Sequence, residues 1–152
     1  MSEHTNPLAP DAVEAAMDDR LDDWIATCRD LVSVPSENPP GDTTAIAAHL
    51  VEFLDERGVS HEVIAPREEM PNVVAQFDGV ARGNGDGPHL VFNGHLDTLH
   101  IGERDRWEFD PFSGDVEDGK LLGRGAADMY GGMVGSLAAF LYLFENRDTF
   151  SG

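Results

Sequence analysis

Lysine is almost missing from this chain. Lys120 is the only one among 152 residues, and ten basic side chains face 29 acids, a formal charge of −19. Such a surface repels phosphate backbones and anionic headgroups, which excludes nucleic acid and membrane as expected partners. Cysteine is equally scarce: Cys28 stands alone, so no intrachain disulfide forms and a reducing compartment is expected. Its place on an apolar helical face reads as an inert core thiol rather than a nucleophile. No basic and apolar leader opens the chain, so no signal peptide is expected. The longest apolar stretch, about Met133–Phe144, is short and polar-flanked, so no bilayer span is expected either. A soluble, cytoplasmic protein is the expectation.

Apolar residues make up 41% of the chain, enough for one domain with a core of its own. Most of the carboxylates read as a solvated face. Spread along the whole length with almost no lysine, they also match a halophilic-type acidic surface, whose self-repulsion salt screens. The melting temperature should therefore rise from low to molar KCl, and a flat series would contradict a high-salt adaptation.

Punctuation by proline, glycine and capping residues divides the chain. Residues 1–10 read as a flexible arm. Asp11 and Glu14 resemble a capping box opening one amphipathic helix through about Val32. Pro35, Pro39, Pro40 and Gly41 then force a loop. A second helix is predicted from about Thr44 to Arg57, stopped by Gly58. Strand-like runs follow at Ser60–Ile64, Asn72–Phe77 and His89–Asn93. Val116–Leu122 reads as a hairpin around Asp118-Gly119, and a last helix as about Gly132–Asn146. Helices alternating with strands predict an α/β fold: three layers, a mostly parallel sheet flanked by helices. Sites in such folds lie beyond the carboxyl ends of strands, where two acidic, glycine-flanked turns fall.

The first turn is Gly94-His95-Leu96-Asp97-Thr98. An imidazole at His95 binds zinc through one nitrogen when its other N–H is held by an acceptor, and Asp97 is placed to be that acceptor. Gly94 removes bulk where backbone and metal come close. On the pair alone, His95 reads equally as an ordinary surface histidine. The second turn is Gly123-Arg124-Gly125-Ala126-Ala127-Asp128-Met129. Asp128 has two oxygens and can bridge two cations, or it can simply cap the last helix. A nucleotide-binding glycine loop is disfavoured, because Asp128 stands where its third glycine belongs and no Walker lysine exists.

Further segments join these turns in a recognisable order: Leu31-Val32-Ser33-Val34-Pro35-Ser36 with Asn38-Pro39-Pro40-Gly41, Pro71-Asn72-Val73-Val74-Ala75, Trp107-Glu108-Phe109-Asp110-Pro111-Phe112 and Asp118-Gly119-Lys120. Between about Leu31 and Leu143 the chain resembles the N-terminal part of the M20 metallopeptidases, the family of acetylornithine deacetylase and succinyl-diaminopimelate desuccinylase. The resemblance implies a partial zinc-aminopeptidase-like catalytic domain over residues 11–152. It implies two zinc ions in a complete site, with cobalt or manganese as substitutes. His95 would ligate one metal, Asp128 would bridge both, and Asp97 would serve catalysis by orienting His95. The implied reaction is hydrolysis of the amide bond of N-acyl amino acids or small peptides, with a glutamate as general base.

The chain also departs from that pattern. The glutamate pair that supplies the base in the family does not follow Asp128; only Glu145 does, unpaired. The remaining metal ligands and the lid or dimerisation domain, through which a complete protein would form a homodimer, are absent. These departures imply an N-terminal fragment that is inactive alone, or a non-catalytic remnant that binds metal or a partner. Tyr130 replaces the lysine usual after Asp-Met and is expected to bring a phenol beside the metal turn. His100 reads as a surface histidine or a weak extra ligand.

Overall fold

The computed structural model describes residues 6–80 and 87–152. The expected first helix is two helices, α1 (Pro10–Asp18) and α2 (Leu21–Ser33). The apolar stripe Val13, Met17, Leu21, Trp24 keeps helical spacing across Asp18-Asp19-Arg20, but the backbone breaks at Arg20 (φ −115°, ψ 14°). Arg20 leaves the helical path, reaches Glu145 at 3.0 Å and lies over the Trp24 ring at 4.7 Å. The Asp11/Glu14 capping box is not made: α1 starts from Ala9 with Pro10 in its first turn and no side-chain cap bond. Of the arm expected over residues 1–10, residues 1–5 lie outside the described residues.

Within the proline loop, β1 (Glu37–Asn38) forms a short strand that sequence reading missed. After α3 (Thr44–Asp55), Gly58 at φ 65° ends the helix as expected, since the left-handed stop favours glycine. The strands β2 (His61–Ile64) and β3 (Asn72–Ala75) pair antiparallel. β4 (Thr98–Leu99) pairs parallel with β1. A single 3₁₀ turn covers Arg104–Arg106. β5 (Val116–Glu117) and β6 (Lys120–Leu121) close the expected hairpin. Both of its turn residues are left-handed, Asp118 at φ 50° and Gly119 at φ 73°, as the tightest two-residue hairpin turn requires. A widened turn over Ala126–Tyr130 leads into α4 (Gly131–Glu145).

The mixture of helices and strands agrees with an α/β reading, but the expected three-layer, mostly parallel sheet does not assemble among the described residues. They form three two-stranded ladders, of which only β1–β4 is parallel. The run His89–Asn93, expected as a strand, has no ladder partner there. Leu90 and Val91 are exposed, Val91 to 81%. A half-open cavity of about 830 Å³ is bordered by this run, by Asn72–Phe77 and by Leu137 and Phe140 of α4. The apolar pattern of the run suits a strand, but none forms, because the described residues place no ladder partner beside it.

The core joins α2, α3 and α4: Trp24, Cys28, Leu31 and Val32 meet Ile46, Leu50, Phe53 and Leu54, with Met133, Val134, Ala138 and Leu141. Burial pushes the Cys28 thiol above its ordinary pKa, which suits a core thiol and not a nucleophile. Ala126–Glu145 is long and apolar enough to cross a membrane, with mean hydropathy 1.2. Asp128 interrupts that stretch, and Met133, Val134, Ala138 and Leu141 are core residues. Leu31 is fully buried, so Leu31→Ala should destabilise the chain by about 2–5 kcal/mol through lost burial and a residual cavity. Thermal unfolding measures this directly.

Candidate metal centre

The two acidic turns meet. His95 lies between the unpaired run and β4, and Asp128 lies in the widened turn before α4. The backbone at Asp128 and Met129 departs from helix, with φ −134° and −132°, which lets the Asp128 carboxylate leave the helix axis. One of its oxygens, Oδ1, is 3.1 Å from His95 Nε2. Asp128 makes no cap bond to α4, so the helix-capping alternative is not realised.

On the other side of the ring, His95 Nδ1 is 2.9 Å from the Asp97 carbonyl oxygen and 3.3 Å from Asp97 Oδ1. Asp97 is itself held: Asn38 Nδ2 donates to its Oδ2 at 2.9 Å. The His95 backbone N–H donates to Met129 Sδ at 3.3 Å, a further tie between the turns. Asn38 stands in one of the family-like segments of the sequence but carries no site role there. Its signal was a polar side chain inside a proline-rich loop, and only the β1–β4 pairing brings it to the turn.

The donor set has a chemical consequence. A neutral imidazole carries one N–H, yet both ring nitrogens face oxygen acceptors. The Asp97 carbonyl cannot donate, so Nδ1 carries the proton and the Nε2 lone pair points at a carboxylate. That contact becomes favourable only when a positive charge occupies it, either a second proton or a metal cation. Two oxygen and nitrogen ligands of one tetrahedral zinc, each about 2.0–2.2 Å from it, lie about 3.3 Å apart, which fits the spacing seen. The Asp128 side chain is 79% exposed, leaving its second oxygen free for another ion. Among the described residues no three His, Cys, Asp or Glu side chains gather around one point; the donors brought together there are His95 and Asp128.

The second-proton alternative has an electrostatic basis around His95. The Asp97 carbonyl first, and then the Asp128 and Asp97 carboxylates, raise its pKa above the ordinary value, against partial desolvation. A raised folded pKa stabilises the metal-free fold fully below the unfolded value of about 6.5, and the gain is lost as pH rises through the folded value. The melting-temperature advantage of the metal-free chain over His95→Gln should therefore be full at acid pH and shrink as pH rises above about 6.5. A constant difference would contradict this electrostatic picture.

Tyr130 does not stand beside the metal donors: it turns inward, 1% exposed, with its hydroxyl 2.6 Å from Ser36 Oγ. The phenol expected beside the metal turn from the place of Tyr130 after Asp-Met does reach that turn, but from its buried side, with the hydroxyl 2.8 Å from the Leu96 carbonyl. His100 is exposed; its ring accepts from the Gly102 N–H at 2.9 Å and faces Glu37 at 3.7 Å. Glu145 is engaged with Arg20.

Residues 91–151, which contain both turns, match peptidase family M20/M25/M40. A succinyl-diaminopimelate desuccinylase of Beijerinckia indica is 39% identical over 128 residues, covering 82% of this chain and 31% of that protein. The desuccinylase of Methylobacterium radiotolerans is 41% identical, with 78% of this chain and 29% of the relative covered. A probable desuccinylase of Staphylococcus epidermidis is 31% identical over 125 residues. The chain thus spans about a third of the length of these curated relatives. With both turns inside the matched region and hydrolases of one kind as its relatives, the chain belongs to the M20 peptidase family.

Proposed function

We propose that this chain carries one part of the metal centre of a zinc-dependent amide hydrolase. Its His95 and Asp128 are metal ligands, and its Asp97 orients His95. The observation that supports this reading is the His95 ring held between two acceptors, with Nε2 3.1 Å from Asp128. His95 offers a neutral nitrogen whose direction Asp97 sets, and Asn38 keeps Asp97 in place. Asp128 offers anionic oxygens. A bound divalent cation supplies Lewis-acid polarisation of the scissile carbonyl and lowers the pKa of water. The half-open cavity next to His95 and Asp97 is where a small acylated amino acid would approach.

The relatives named as desuccinylases make N-succinyl or N-acetyl amino acids the substrate class we assign to the complete protein, in the cytoplasm. The present chain has no glutamate pair after Asp128 to act as base, and we assign it no turnover by itself. A second reading, a non-catalytic module that binds metal or a partner, is favoured by the two-donor site and the exposed Leu90 and Val91.

The intact mass of the native gene product, followed by an assay of that material, separates the readings. A product two to three times as heavy as this 16.5 kDa chain should hydrolyse N-succinyl-diaminopimelate or N-acetylornithine and lose activity to a chelator. A heavy product inert toward both substrates with zinc present would contradict the hydrolase reading. A native product of 16.5 kDa would favour the second.

A further inference from the structure

The donors of the proposed metal centre sit on two turns more than thirty residues apart in sequence, and something must set the distance between them. Leu96, the residue between His95 and Asp97, turns its carbonyl oxygen away from the donors. That oxygen is 2.8 Å from the Tyr130 hydroxyl and 2.8 Å from Ser36 Oγ. The two hydroxyls are 2.6 Å apart. Three oxygens share two hydroxyl protons, so Leu96 accepts at least one bond in every arrangement that leaves no proton unused.

Each hydroxyl is itself anchored. The Ser36 carbonyl accepts the Thr98 N–H at 2.9 Å, and the Tyr130 N–H donates to the Gly125 carbonyl at 2.8 Å. Tyr130 follows Asp128 by two residues. Its hydroxyl therefore ties the turn bearing Asp128 to the turn bearing His95 from the buried side, while the donors face solvent.

We propose that Tyr130 is a positioning residue whose hydroxyl, braced by Ser36, sets the spacing between His95 and Asp128 through the Leu96 carbonyl. The inference rests on the metal reading for its functional meaning, but the link itself is testable without metal. Buried polar groups that are fully hydrogen-bonded make such a brace rigid, and partners behind metal ligands commonly govern affinity about 10–100-fold.

The test uses the whole chain labelled at histidine nitrogen, metal-free and in alkaline buffer where the ring is neutral. The Nε2 resonance of His95 in the parent and in Asp128→Asn defines a scale for contact with that carboxylate. Tyr130→Phe, which keeps the ring, should move Nε2 along this scale toward the Asp128→Asn position. Ser36→Ala should move it less, and Ser36→Thr should restore the parent position. Tyr142→Phe is the control, because it removes another phenol bond, to the Pro7 carbonyl, far in sequence from both turns.

A parent-like Nε2 resonance in Tyr130→Phe, or an equal displacement in Tyr142→Phe, would overturn the proposal. Zinc added to the same samples judges the metal reading separately. If the parent Nε2 resonance does not respond to zinc, that reading fails, while the metal-free displacement still decides the role of Tyr130. Where zinc binds, Tyr130→Phe should weaken it about tenfold.

Discussion

Asp128→Asn should abolish the measurable binding of zinc by this chain while leaving its fold intact. The amide keeps the shape of the side chain but replaces an anionic oxygen with a neutral one, and Nε2 of His95 loses the carboxylate 3.1 Å away. With two protein donors the parent site is weak, because structural and catalytic zinc sites use three or four. Removing one donor should exceed the ~10–100-fold loss that follows from removing a partner behind a ligand. Stability should hardly change. The carboxylate is largely exposed and makes no cap bond to α4, so the substitution belongs with surface changes of within about 0.5 kcal/mol. Equilibrium dialysis against zinc, paired with thermal unfolding, reads both quantities. Unchanged zinc binding would remove Asp128 from the site.

Gly125→Ala should have the opposite profile, a large loss of stability at a residue without any ligating atom. Gly125 sits at φ 85°, in the left-handed region where an alanine is strained. A Cβ there would lie 2.6 Å from Thr98 Cγ2 and 2.7 Å from the Tyr130 ring. Both neighbours are buried and neither can withdraw without moving β4 or the Asp128 turn. Strain and overpacking together should amount to about 2–4 kcal/mol, or roughly 5–15 °C of melting temperature. Gly119→Ala is the matched comparison. It shares a positive φ, 73°, but a Cβ there meets nothing within 4 Å, so it should lose only the strain contribution, about 1 kcal/mol. Equal losses at the two glycines would show that the contacts of Gly125 carry no weight.

How much of this was legible in the sequence depends on how local each feature is. His95, Gly94 and Asp128 stand in short motifs whose chemistry is carried by neighbouring residues; the two donors meet at 3.1 Å, and the His95 turn borders the cavity. The hairpin at Asp118-Gly119 and the stop at Gly58 are likewise set by backbone preferences of two or three residues. Ser36 and Asn38 were not legible as parts of the site. Their partners, Leu96 and Asp97, are 60 and 59 residues away, and proline spacing says nothing about a parallel two-residue ladder. The break in the first helix falls at Arg20, whose side chain meets Glu145, 125 residues away, a contact that no local pattern announces.

His89–Asn93 shows a different limit. Hydrophobic pattern reports that a segment suits a sheet, but pairing needs a second strand, which the described residues do not place beside it. The sequence puts Tyr130 beside the metal turn but does not say on which side of it, and the backbone decides that. The non-helical backbone at Asp128 and Met129 rotates the positions around it away from helical phase, so the carboxylate faces out and the phenol faces in.

The central claim is that His95 and Asp128 act on one cation. A double-mutant cycle in zinc affinity, using His95→Ala, Asp128→Ala and the pair, tests it most directly, since shared ligands are coupled and independent ones are additive. If the two side chains hold the same ion, either single substitution should remove nearly all of the specific binding and the double substitution should lose little more. Additive losses from two separately measurable sites would contradict the account.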